Sequence, residues 1–190
     1  MLVTKPYNRA RAVEYARRWA LDRNPLFTDF TGIGGNCTNF VSQAVLAGSC
    51  VMNYTKDFGW YYISREERAP AWSGVEYFYD FMTGNPLFAN ENGGTGPFAT
   101  VVEREAVELG DVIQYANEAG DWYHTVIVTG FDGDEILISA QSDDALDRPV
   151  SSYRQAVTKR YLHMEGVRFE INDDRCYERL LSGGEMMPSE

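Results

Sequence analysis

Histidine is scarce in this chain, at two residues, His124 and His163, and cysteine is nearly as rare, with Cys37, Cys50 and Cys176. No CxxC or HxxxH pair occurs, so the usual spacings of a structural zinc site are missing and no metal is expected. Three irregularly spaced cysteines do not make a disulfide framework, so Cys50 and Cys176 are expected to be ordinary thiols. Basic residues are also in deficit: 17 Lys and Arg stand against 28 Asp and Glu, a net charge of -11. That balance argues against a nucleic-acid partner, which needs clustered cations, and disfavours docking on anionic membranes or wall polymers. No apolar run approaches the roughly 18 residues of a membrane span. The start, MLVTKPYNRARAVEY, lacks an apolar signal core, so no export address is expected. Repeats and dividing linkers are missing too. A single domain over residues 1–175 is expected, with 176–190 as a mobile tail.

What is present suits a folded globule, with 44% apolar and 14% aromatic residues. Helical spacing runs over 7–23 until Pro25, and again from Cys37 to Ala47, with Asn36 as N-cap and Gly48 as the stop. Ser73 and Glu76 form an S-x-x-E capping box at the start of a third helix that ends at Gly84. Residues 85–100, with Asn90, Asn92, Gly93, Gly94, Gly96 and Pro97, read as a loop. Beyond it, 111–116, 123–131, 135–140 and 160–171 read as strands. Helices first and an antiparallel sheet second make an α+β protein.

The stretch GGNCTNFVSQAVLAG (34–48) raises the question of chemistry. Its glycines do not satisfy G-x-x-x-x-G-K-[ST], and Cys37 stands where G-x-G-x-x-G needs its last glycine, so a phosphate loop and a nucleotide cofactor are rejected. Cys37 sits instead in the first turn of a helix, where unpaired N–H groups favour negative charge and can receive an oxyanion. A lone cysteine is as often a packing residue. As a nucleophile it needs a base, and His124, at the head of HTVIVTGF, is the candidate; His163 reads as a packed residue of a late aromatic strand. If Asp132-Gly133 is a two-residue turn, His124 faces Gln141 across the hairpin, and the amide oxygen of Gln141 would orient the imidazole. Asp143 or Asp144 is the alternative third member. Trp60 and Trp72, with Tyr61 and Tyr62, would line a substrate cleft or pack in the core.

With Cys37 and His124 in hand, the chain resembles the putative amidase domain of bacteria, related to NlpC/P60 and CHAP domains among the papain-like cysteine hydrolases. YNRARAVEYARRWALDRNP resembles its first helix and GGNCTNFVSQAVLAG its nucleophile helix. FGWYYISREERAPAWSGVEYFYDFM resembles its Trp-rich middle, and LGDVIQY followed by HTVIVTG its GD strand and histidine strand. The resemblance implies a papain-like NlpC/P60-type fold, with N-terminal helices packed on a C-terminal antiparallel sheet. It also implies catalysis by Cys37 and His124 without a cofactor, Asn36 supporting the nucleophile, and a peptide or amide substrate such as a peptidoglycan fragment. Two positions depart from the pattern: Asn36 replaces an Asp, and Gln141 replaces the His of an AHTxD segment in which Asp144 matches the Asp. A binding module that has lost catalysis and a Cys-His acyl transferase are the rival readings.

Overall fold

The computed structural model describes residues 1–88 and 94–184. Its helices are α1 (Arg9–Trp19), α2 (Cys37–Ser49), α3 (Pro70–Ser73), α4 (Val75–Thr83) and α5 (Cys176–Ser182). Its strands are β1 (Val3–Lys5), β2 (Gly96–Val102), β3 (Val112–Ala116), β4 (Trp122–Asp132), β5 (Glu135–Ala140), β6 (Ala145–Pro149) and β7 (Thr158–Phe169). Among the described residues the strands form one sheet in the order β1-β7-β3-β4-β5-β6, with β2 also on β7, every pair antiparallel. The protein is α+β. No described helix is long and apolar enough to cross a membrane.

The organising element is α2. All 13 of its residues are buried, because α1, α3, α5 and the sheet enclose it. Its polar side chains therefore need partners inside the protein, and each has one. Tyr15 donates its hydroxyl to Gln43 Oε1 at 2.7 Å. Trp60 Nε1 donates to Ser42 Oγ at 3.0 Å, and Trp72 Nε1 donates to Asn39 Oδ1 at 2.8 Å. Trp60 and Trp72 are fully buried, with ring centroids 5.0 Å apart, so they belong to the core and do not line a cleft. The second core lies on the other face of the sheet, where Ile113, Tyr115, Val126, Val128 and Ile138 pack.

Several expectations are corrected. α2 runs on to Ser49 and closes on Cys50, at φ 51, not on Gly48. Gly48 has a different reason: a Cβ there would lie 2.5 Å from the Tyr7 ring and 2.9 Å from the Asn8 carbonyl, so α1 starts hard against it. Ser73 ends α3 and accepts from Arg68 Nε at 3.0 Å, Glu76 pairs with Arg160, and Gly74 caps α4, so no capping box forms. Residues 96–100, expected as loop, form most of β2; its proline is tolerated because β2 pairs on one side only. Asn90, Asn92 and Gly93 lie outside the described residues.

Cys50 and Cys176 are not free thiols. They form a disulfide with Cα atoms 5.6 Å apart, joining the end of α2 to the start of α5. Residues 176–182, expected as tail, are thus helical and docked: Leu180 is buried, and Leu181 O accepts from Trp19 Nε1 at 3.2 Å. The rest of the expected tail from 185 onward lies outside the described residues.

The GD segment before β3 serves the fold. Asp111 is fully buried and accepts from Arg9 Nη1 at 2.6 Å, Glu108 N at 2.8 Å and Met164 N at 2.9 Å, with His163 Nδ1 at 2.9 Å. His163 is therefore held in a structural cluster that ties α1 to β7.

Candidate functional site

Cys37 opens α2 and is the free cysteine. His124 lies near the start of β4, opposite Tyr115 of β3. Their sequence neighbours touch: the Thr38 and Thr125 hydroxyls are 2.8 Å apart. Gln114 Nε2 donates to Thr125 Oγ1 at 3.2 Å and to Val75 O at 2.8 Å, so the same polar chain reaches the start of α4. Four elements, α2, β4, β3 and α4, are thereby locked at one point, and Cys37, His124 and Val75 all line one cleft of about 690 Å³. Gly34 and Gly35 form one lip of it, with Ser142 and Asp143; residues 152–155 also line it, joined to Asp143 through Arg148. Gly34 and Gly35 have φ of 98° and 99°, a conformation that suits glycine, and a Cβ on Gly34 would meet nothing within 4 Å. The lip is therefore low and open. Cys37 is 8% exposed and His124 7%, so both are recessed at the base of the cleft.

Burial pushes the His124 imidazole down from 6.5 to about 4; the Asp143 charge opposes that shift and Arg148 reinforces it. The ring is neutral at pH 7 and able to accept a proton. Its Nε2 is buried without a hydrogen-bond partner. Tyr115 and Tyr153 pack against the ring with centroids 5.8 Å away, and their hydroxyls are likewise buried and unpartnered.

Gln141 is not the orienter of His124. Its Nε2 donates to Trp19 O and Asp22 O, both at 2.7 Å, and its Oε1 accepts from Asn36 Nδ2. The cause is register. Asp132 pairs Glu135, so the turn residues are Gly133 and Asp134, and a bulge between Val128 and Gly130 leaves Ile127 opposite Ser139. Carried on, that register puts Thr125, not His124, opposite Gln141, on the other face of the strand. Asp144 is also engaged elsewhere: both its oxygens accept from Arg23 at 3.0 Å.

Asn36 departs from its expected role too. Its side chain does not cap α2. Oδ1 accepts from Phe30 N at 2.9 Å and Asn39 Nδ2 at 2.8 Å, while its backbone N–H donates to Ser142 Oγ. Asn36 with Gln141 and Ser142 therefore clasps the nucleophile loop to the end of β5. The two positions at which the chain departs from the resembled pattern are in contact with each other. Asp143 was weighed at the sequence level, whereas Tyr123, Arg148, Tyr153 and Arg154 of the cleft wall were missed. Arg148 lies in β6, a short strand with no regular alternation to announce it; Tyr153 and Arg154 follow that strand, and Tyr123 belongs to β4 beside His124.

Comparison with known proteins agrees with this picture at family level. The chain is 32% identical over 145 residues to "Uncharacterized protein YhbB" of Bacillus subtilis (strain 168), an alignment covering 73% of this chain and 42% of that protein. The chain thus spans less than half the length of that relative. No solved structure matches it. The family model for the putative amidase domain matches residues 6–164, most of the described fold and every residue of the cleft. The chain belongs to the putative amidase domain family.

Proposed function

We propose that the cleft hydrolyses amide bonds by acyl transfer to Cys37, with His124 as general base, on a papain-like fold of the NlpC/P60 type. The observation that carries the proposal is the meeting of α2 and β4 at the Thr38–Thr125 contact, which sets Cys37 and His124 into one cleft. A nucleophile at a helix start with an imidazole on a neighbouring strand is the arrangement such chemistry needs. The Cys37 sulfur attacks the carbonyl as its proton passes to neutral His124. N–H groups of the first turn of α2 hold the oxyanion. The imidazolium then protonates the leaving amine, giving a thioester, and water activated by His124 hydrolyses it to the acid and regenerates the thiol. Wall peptides are the substrate class suggested by the family, and the low glycine lip suits an extended chain lying across the cleft.

A screen of peptidoglycan fragments and simple peptide amides tests this directly. Hydrolysis is expected with the wild-type protein and is lost in Cys37→Ala and in His124→Ala with the fold retained. Unchanged turnover in either variant refutes the assignment. The unpartnered His124 Nε2 favours one alternative, a binding module with weak chemistry. In that case fragments bind without being cleaved.

A further inference from the structure

Two guanidinium groups line the cleft, and they differ in one respect. Arg148 is engaged: Nη1 donates to Asp143 Oδ2 at 2.7 Å, Nε donates to Ser152 Oγ at 2.9 Å, and the group lies 4.2 Å over the Tyr153 ring. Arg154 is exposed, and among the described residues no carboxylate pairs with it. With Asp143 and Arg148 cancelling and His124 neutral, the charge left in the cleft is a cation. The whole chain carries -11, so the local sign is opposite to the global one.

The wall that presents Arg154 is built rather than loose. Ser152 Oγ donates to Pro149 O at 2.7 Å while accepting from Arg148, and Tyr153 is pinned beneath the Arg148 guanidinium. The backbone turns tightly at the arginine itself, with Arg154 N donating to Ser152 O at 3.1 Å and Ala156 N to Tyr153 O at 3.2 Å. A planar five-donor fork on a braced wall, in the same cleft as the open glycine lip, suits bidentate capture of a carboxylate.

We infer that Arg154 binds a free carboxylate of the substrate, so that the site selects peptide amides carrying an anionic group beside the scissile bond. This rests on the amide-hydrolase reading for its catalytic consequence but not for the binding itself. The test uses a library of capped tripeptides made in matched pairs, each acid (Asp, Glu or a free C-terminus) against its carboxamide. It is read twice, by cleavage with the wild-type protein and by capture on Cys37→Ala protein. Acid members are expected to exceed their amide partners by about tenfold in both, the size of one charge-assisted pair. Arg154→Gln brings the ratio to unity, Arg154→Lys keeps part of it, and Arg154→Glu inverts it. Capture with discrimination but no cleavage sinks the hydrolase reading and leaves the carboxylate site standing. Equal cleavage or capture of acids and amides, no capture at all, or discrimination that survives Arg154→Gln, overturns the inference.

Discussion

His124 is a buried neutral imidazole, and its burial has consequences that can be measured. With a folded pKa near 4 against an ordinary 6.5, the folded state resists the proton that the unfolded chain accepts. Between pH 6.5 and about 4 the unfolded state binds more protons, so stability rises with pH across that window and falls as pH drops through it. The full difference is roughly 3 kcal/mol. Denaturant titrations of wild type and His124→Asn at pH 7 and pH 4 should therefore show wild type losing most of that amount relative to the variant; a pH-independent difference would contradict it. For the same reason, the acid limb of kcat/KM is expected near pH 4 and not near 6.5. Asn36 and Gln141 predict the opposite kind of phenotype. Gln141→Ala leaves Asn36 Nδ2 unsatisfied and takes one of two donors from each of Trp19 O and Asp22 O, costing about 1–3 kcal/mol in thermal or chemical unfolding. It should not move the acid limb, because the side chain makes no hydrogen bond to His124.

At the level of elements, much of the secondary structure is legible in the sequence and the spatial pairings are less so. β5 has the limits its β-branched run announces, and the start of α2 is where Cys37 places it. β2 was hidden because Gly96 and Pro97 read as turn residues, and only its single-sided pairing makes them acceptable. The Gln141 assignment failed on one residue of register: the turn holds Gly133 first, and the Val128–Gly130 bulge is signalled only by the isolated Gly130 inside the strand. The Trp60 and Trp72 rings could not be assigned from type alone; their partners Ser42 and Asn39 show that the polar letters of CTNFVSQ exist to satisfy a buried helix. The disulfide was invisible because its cysteines are 126 residues apart. Closing so long a loop stabilises by up to about 5 kcal/mol in the chain-entropy view. Reduction, or Cys50→Ser with Cys176→Ser, should lower the melting temperature and expose α5 amides to hydrogen exchange. Unchanged exchange in α5 would show that packing alone holds it.

At the scale of the whole molecule, two of the buried polar contacts that join helices to sheet separate the fold from the chemistry. One is Asp111, where α1, β3 and β7 converge; Asp111→Ala should cost about 1–3 kcal/mol by taking the acceptor from Glu108 N and Met164 N, while Arg9 keeps Glu108, Leu109 O and Met164 O. The other is the Thr38–Thr125–Gln114 chain beneath the cleft. The first holds the fold and the second holds the chemistry, so Asp111 variants are expected to fail in stability while correctly folded molecules keep their activity. The central claim is that Cys37 and His124 act as one unit. The rate of Cys37 alkylation by iodoacetamide near neutral pH, followed by intact mass with the disulfide left closed, tests it most directly. The account predicts at least a tenfold slower reaction in folded His124→Ala than in wild type; equal rates in the two proteins would contradict it.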